Sequence, residues 1–561
     1  MRFDTGGPAL RGAAGRLSAD RIASLAIALA AAALIALPLA SLMRLAVAGD
    51  GDLWPHLIAY VLPHSIVQTA MLLAGVTAVA ALAGIAPAFL VASFEFPGRK
   101  ALEWLLPLPL AIPTYIAAYV YADILDAAGP VQSALRDAFG FRTGAEYWFP
   151  AVRSLGGAIL IIGLVVYPYV YLTARALFKT QSSSFAEAAQ TMGATPWQTF
   201  RYISLPLARP AIAVGLALAL LETLNDIGAA EYLGVQTLTL SIFTTWLNRG
   251  SLGGAAQIAL ALLAVVTLLI ALERTARCRQ SVEGDAQDGT VRRMPLSGRA
   301  AALAALACAI PVAFGFVIPG GYLLREAVLR GLMVGIEPSL LAALATTVAL
   351  AAVATAVVLT VGIAAAIPLR LAPIKAGRPL LAIASMGYAI PGTVLALGLL
   401  SPLVAGDEML NWLSGRLAGV HLGLVLAGSS AALIVAYAAR FSSISIGVVQ
   451  AGLAQMPREF DESARLDGAG IRQLLRHIHL PLLTPALTGA ALLVFVDCLK
   501  ELPMTLLMRP LNVETLATSI YQFATRGNFE DGALAALLIV LAGIPPVILL
   551  MRLPDAGETR R

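Results

Sequence analysis

Four carboxylates stand out by their spacing in apolar surroundings. Glu222 and Asp226 lie four residues apart in LETLNDIGAAEYLG (221–234), and Asp497 and Glu501 repeat that spacing 275 positions later in DCLKELPMTLLMRP (497–510). Residues four apart share one face of a helix, and hard cations prefer carboxylate oxygen. One chemistry on offer is a pair of oxygen-rich clusters that meet a passing cation. The other is a set of ion pairs, with Lys500 or Arg509 holding Glu501. Ionisable groups in apolar segments are costly enough to imply a role in either case. Asp226 follows Pro206 by 20 positions, about 30 Å along a helix, so the clusters are expected at one mouth of a membrane-spanning structure.

Catalytic chemistry finds less support. Cys278, Cys308 and Cys498 are far apart with no CxxC, which argues against a disulfide framework or a zinc site. No G-x-S-x-G nucleophile motif is present. A P-loop needs a lysine after glycine to reach nucleotide phosphates; the only lysines are Lys100, Lys179, Lys375 and Lys500, and none follows a glycine. The expectation is a non-catalytic chain with no cofactor or metal of its own. Tyr115, Tyr119, Tyr121, Tyr167, Tyr169 and Tyr171 offer phenolic oxygens but read better as interfacial aromatic anchors. His56 and His64 read as solvated loop residues, and His477 and His479 as surface residues.

The elements that carry these groups follow from composition. Of 561 residues, 59% are hydrophobic and 13% charged, and mean hydropathy is +0.82. Soluble domains are roughly 45–50% apolar and about 25% charged, so the excess must face lipid. Disordered, collagen-like and coiled-coil classes are excluded by the same composition. Twelve apolar runs are long enough to cross a bilayer: 22–47, 65–93, 101–126, 151–177, 206–229, 254–272, 300–325, 339–369, 379–404, 417–440, 481–504 and 531–552. They lack the period-2 alternation of a β-barrel. The fold class is an all-α polytopic membrane protein. The run after Arg21 is too long for the apolar core of a cleavable signal. Basic residues concentrate in alternate connections, which places both termini in the cytoplasm and Asp407 and Glu408 in an outer loop. Pro113 and Pro391 are expected to kink their spans.

The chain also repeats itself. LAIPTY (110–115) matches YAIPGT (388–393), and TLTLSIF (237–243) matches TLATSIY (515–521), each 278 positions apart. The polar stretch 273–299 then reads as a cytoplasmic linker between a first six-helix half, 1–272, and a second, 300–561. A tandem duplication gives both halves the same orientation. EAAQTMGATPWQTFRYISLP (187–206) and ESARLDGAGIRQLLRHIHLP (462–481) share E-x-A-x3-G-x9-I-x-L-P. The pattern describes a short polar helix, a glycine turn at Gly193 or Gly468, a second helix, and a proline at the start of a span. Such a hairpin suits the groove of a soluble partner.

These residues resemble the EAA loop of binding-protein-dependent ABC importer permeases of the type I, maltose-permease-like fold, and the resemblance covers nearly the whole chain as two fused domains. It implies that the loops are coupling helices seated on ATPase subunits, through Glu187, Ala188, Ala189, Gly193 and Pro206 in the first copy and Glu462, Ala464, Gly468 and Pro481 in the second. Ser463 stands where the family pattern has alanine. LNDIGAAEYLGVQTLTLSIFTTW (224–246) and KELPMTLLMRPLNVETLATSIYQFA (500–524) look like the ferric-iron branch. That likeness implies two ATPase partners that use ATP, a periplasmic binding protein delivering iron(III), and a bacterial inner-membrane location. Glu222, Asp226, Asp497, Lys500 and Glu501 would then line a pathway or outer gate. Related permeases carry thiamine or polyamines. A secondary transporter, the rival from another class, also has twelve helices in two repeats but needs no ATPase-docking loops.

Overall fold

A computed structural model describes residues 8–49, 51–180, 191–278, 293–335, 337–371 and 374–552. Among the described residues, eleven helices are long and apolar enough to cross a membrane. A bent pair, Arg99–Ala111 with Thr114–Ile124 at 95°, makes up to a twelfth. Most of the expected linker, at 279–292, and the first coupling residues Glu187, Ala188 and Ala189 lie outside the described residues.

Contacts divide the chain into two units that interleave its sequence halves. One unit comprises Met1–Ala48 with Ala345–Glu514; the other comprises Gly49–Leu344 with Thr515–Arg561. In the first unit, helix Pro8–Ala48 packs along Gly392–Ala418 and Gly377–Ala384. The approach is close: a Cβ on Gly398 would stand 2.4 Å from the Pro38 carbonyl oxygen. Small residues at such contacts let helix backbones meet where lipid provides no hydrophobic drive, and Ala31, Ala365 and Ala384 fill the same seam. In the second unit, Leu62–Ser93, Leu155–Thr180 and Leu205–Asn225 pack together, and Ile318–Val334 lies against Phe529–Arg552. A two-residue parallel pairing, Phe94–Glu95 with Met294–Pro295, ties the chain after the linker to the end of a span.

Proline shapes both repeats in two ways. Pro113 and Pro391 do more than kink their helices. Each lies in extended backbone, with ψ of 142° and 140°, as the residue before a new helix. The helix breaks there because the residue before proline is pushed out of the helical region. The second device is a wide turn. Four π-helical segments, Leu57–Val61, Phe200–Ser204, Ala313–Val317 and Leu475–His479, each end two residues before a proline: Pro63, Pro206, Pro319 and Pro481. Proline lacks the N–H of the ordinary i→i−4 bond and its ring crowds that carbonyl. Widening the turn by one residue relieves the crowding without ending the helix. Pro206 and Pro481 therefore start a span as expected, yet inside a continuous helical run, Pro196–Asn225 in the first case.

Two expected spans are displaced. The runs at 379–404 and 417–440 become helices Gly392–Ala418 and Ser430–Gln455. Asp407, expected in an outer loop, lies within the first of these helices, Arg440 lies within the second, and both are buried. The Asp407 carboxylate accepts hydrogen bonds from the backbone N–H groups of Val425, Leu426 and Ala427 at 2.9, 2.6 and 2.8 Å. Arg440 Nη1 lies 3.0 Å from Glu501 Oε1. Specific partners make these charges tolerable at depth, which hydropathy alone does not register.

Candidate coupling segments and helix breaks

The second motif forms helix Glu459–Leu466, a turn, helix Ile471–Leu474 and the π turn before Pro481. Gly468 turns the chain at φ +82°, and Gly193 does the same at φ +87° in the first copy. A side chain in this left-handed region costs about 1–2 kcal/mol. After Gly193, Thr195 caps helix Pro196–Thr199 in a reciprocal box with Gln198. Ala464 is partly buried and packs on the unit's own core of Leu371, Leu453 and Leu474. Glu462 is exposed. Large apolar side chains stand in solvent at both segments: Met192 and Trp197 in the first, Phe460 and Leu466 in the second. Exposed apolar groups on a polar hairpin suit a docking face.

A buried clamp holds the second segment to its unit. Asp461 Oδ2 accepts from Arg370 Nε at 2.7 Å, and Asp461 Oδ1 meets His479 Nε2 at 2.6 Å. Arg370 also donates to the carbonyls of Leu453, Met456 and Pro457. His479 is fully buried, contrary to its reading as a surface residue, whereas His477 is exposed. Burial alone would raise the Asp461 carboxyl, but the His479 and Arg370 hydrogen bonds outweigh it and hold it below the ordinary carboxylate range. The spacing argument missed this clamp because Arg370 is 91 positions from Asp461; a lone arginine ending the apolar run IPLRL was the available signal.

The acidic pairs do not share helix faces. Helix Leu205–Asn225 ends one residue before Asp226, and Leu480–Lys500 ends one before Glu501. Each final acid sits in extended backbone and caps a new short helix. Asp226 Oδ1 accepts from the Ala229 N–H at 2.9 Å, and Glu501 Oε2 from the N–H groups of Met504 and Thr505 at 3.0 and 3.3 Å. Acids favour helix N-termini for this reason. Lys500 pairs with Asp497 at 3.0 Å, and Arg509 with Glu514 at 2.7 Å, so the expected bases take other acids while Arg440 takes Glu501. Glu222 is half-buried. A Cβ on Gly392, beside the Pro391 break, would meet both Arg440 and Glu501. The two breaks of that half are thus packed on each other.

The tyrosines are mostly interior rather than interfacial. Tyr119, Tyr167 and Tyr171 are fully buried, and Tyr115 and Tyr121 nearly so. The Tyr167 hydroxyl donates to the Leu106 carbonyl at 2.8 Å. Tyr119, Arg153, Glu231, Tyr232 and Tyr521 line a hollow of about 300 Å³. There the Tyr521 hydroxyl donates to Glu231 at 2.7 Å, and the Arg153 guanidinium lies 4.6 Å from the Tyr232 ring centre. His56 and His64 are exposed, but on helical turns rather than a loop. No group of three or more His, Cys, Asp or Glu with metal-binding geometry occurs among the described residues.

Before the fifth span of each repeat stand a positive-φ glycine, Gly193 or Gly468, and a π turn, so the described parts of the two segments repeat one another. The model of the family described as "Binding-protein-dependent transport system inner membrane component" matches residues 80–275 and again 358–556. The chain belongs to this family. It is a permease subunit of an ABC transporter, a class of non-catalytic membrane components. The permease is similar to the Fe(3+)-transport system permease protein FbpB 2 of Haemophilus influenzae, 24% identical over 86% of this chain and 89% of that protein. It is also similar to the sulfate transport system permease protein CysT of Escherichia coli, 28% identical over 33% of this chain and 66% of that one. The molybdenum transport system permease protein ModB of the same organism is 30% identical over 33% of this chain and 82% of its own length.

Proposed function

We propose that this permease carries iron(III) across the bacterial inner membrane, receiving it from a periplasmic binding protein and driven by two ATPase subunits. The observation that carries the iron assignment is the extent of the Fe(3+) permease likeness, which spans 86% of the chain, both halves included. The sulfate and molybdenum relatives each match about a third of it.

In this reading both termini are cytoplasmic, and the ATPases seat on Glu187–Pro206 and Glu462–Pro481. Their closure pushes each hairpin, and the clamp of Arg370, Asp461 and His479 passes that motion into the adjoining spans. Glu222, Asp226, Asp497, Lys500 and Glu501 belong to the opposite mouth. There the capped helix breaks act as hinges, which favours a gate built from ion pairs over direct cation ligation. Rigid helix groups then rock between outward- and inward-open states.

The test is uptake into vesicles holding the complete transporter, with radiolabelled iron(III), sulfate and molybdate in parallel. ATP-dependent iron uptake is expected. Uptake of either oxyanion without iron would reassign the substrate, and ATP-independent uptake would remove the ABC mechanism.

A further inference from the structure

We propose that the unit containing the second coupling segment carries a binding site for the phosphate headgroup of an anionic phospholipid. The site emerges when the two repeats are compared position by position. Helix Arg99–Leu105 corresponds to Gly377–Ala384 at 278 positions, and Leu155–Thr180 corresponds to Ser430–Gln455 at 275. In the first repeat this place is filled by charge. Glu103 bonds Arg99 at 2.8 Å, Lys179 at 3.0 Å and Arg175. In the second repeat the same four positions are Leu381, Gly377, Ala454 and Gln450. All four line a cavity of about 980 Å³. The carboxylate that held the first cluster together is gone, and the space it organised is open.

The rim of that cavity is basic. Arg370, Lys375, Arg378 and Arg458 line it together with Asp461 and Glu462. Arg370 is committed to Asp461. Lys375, Arg378 and Arg458 are exposed, and none has an ion pair of 4.0 Å or less among the described residues. The site therefore favours an anion with several acceptor oxygens, as a phosphate has. Its depth identifies the source. Leu369, Arg370 and Leu371 close one candidate span, and Leu453 and Ala454 come at the end of another. The cavity thus lies where two spans leave the hydrocarbon, with apolar Leu369, Ile374 and Met456 beside the bases. That combination of headgroup charge and acyl-chain contact fits a lipid better than a free ion.

The site borders Asp461 and Glu462, so a bound headgroup would brace the second coupling segment. At the matching place in the first repeat, Arg175 and Lys179 stand paired with Glu103. The inference stands apart from the choice of substrate, because binding is read on the purified chain alone.

Native mass spectrometry of the full chain would count retained phosphatidylglycerol or cardiolipin against phosphatidylcholine. Retention of an anionic lipid in preference to phosphatidylcholine is expected. Each base near a membrane surface contributes about fivefold in affinity, so K375Q/R378Q/R458Q should weaken retention on the order of a hundredfold. Ala454→Phe, which adds bulk to the cavity wall without altering charge, should also weaken lipid retention. Undiminished lipid retention in both variants would overturn the site. Inorganic phosphate that binds to wild type with no lipid preference would overturn the lipid as occupant. A matched mutant, Arg416→Gln, removes a distant base and should retain lipid as wild type does; loss there would mean that nonspecific charge accounts for binding.

Discussion

Asp461 shows how much one side chain can hold. Its carboxylate joins helix Glu459–Leu466 to the ends of two other helical segments through Arg370 and His479. Replacing it by asparagine leaves Arg370 without its counter-charge in a mostly buried place, at a cost on the order of 3 kcal/mol. D461N is expected to lower the thermal midpoint of the purified permease and to uncouple ATP hydrolysis from transport. The pH dependence has a definite sign. A carboxyl held below its unfolded pKa of about 3.9 stabilises the fold above that value and loses its contribution as pH falls through the lower, folded value. The carboxyl's share of the stability difference between wild type and D461N should be lost as pH falls below about pH 4. A difference that grew as pH fell below about 4 would exclude this role. Arg440→Leu makes the parallel case: it strands Glu501 at 6% exposure and should destabilise by about 3–5 kcal/mol, read by denaturation in detergent. Removing both charges as R440L/E501L should recover part of that loss.

At this scale the sequence revealed the acids by their spacing but not their partners. Glu501 was legible as an unusual charge; its pairing with Arg440 rather than Lys500 was not, because 61 positions separate them. The tyrosines were misplaced for a related reason. Tyrosine suits an interface and also a buried site with a carbonyl to receive its hydroxyl, as Tyr167 has in Leu106.

Among the elements, glycine and proline carry most of the local information. The turns at Gly193 and Gly468 were legible because a helix–turn–helix with glycine at its centre has few other readings, and both have positive φ. Gly468→Ala meets no neighbouring atom, so its whole effect is backbone strain of about 1–2 kcal/mol. The folded protein should survive, with ATPase activity less tightly tied to uptake; unchanged coupling would count against the hairpin as transmitter. The prolines were legible as breaks, but the π turns before them were not, since hydropathy has no signature for one extra residue in a turn. Pro481→Ala restores an N–H and removes the ring that the wide turn accommodates. The Leu475–His479 segment is expected to tighten to ordinary α-helix, rotating the coupling segment by about 100° relative to the span. Cross-linking of a cysteine pair across the turn, in wild type and variant, would detect the rotation.

For the molecule as a whole, the duplication and the number of spans were legible, because a repeated motif and an apolar run are both local properties. The grouping of helices was not. Helix Pro8–Ala48 packs with segments nearly four hundred positions away, and nothing in its own composition names that partner. Gly398→Val tests the seam: its side chain would press on the Pro38 carbonyl, and the expected result is a loss of several kcal/mol, by analogy with overpacked cores at about 1–3 kcal/mol plus displaced helix contacts. A thermal midpoint equal to wild type would show that the helix does not sit there.

The same arrangement fixes an order of assembly. Helix Pro8–Ala48 has its packing partners in Gly377–Ala384 and Gly392–Ala418, so it must wait for them while the more than three hundred residues in between are synthesised. At roughly 5–20 residues per second, that delay lasts on the order of tens of seconds, long enough for quality-control proteases or a membrane chaperone to meet the exposed seam. Biogenesis of this permease should therefore be sensitive to translation speed between the codons for Ala48 and Gly377.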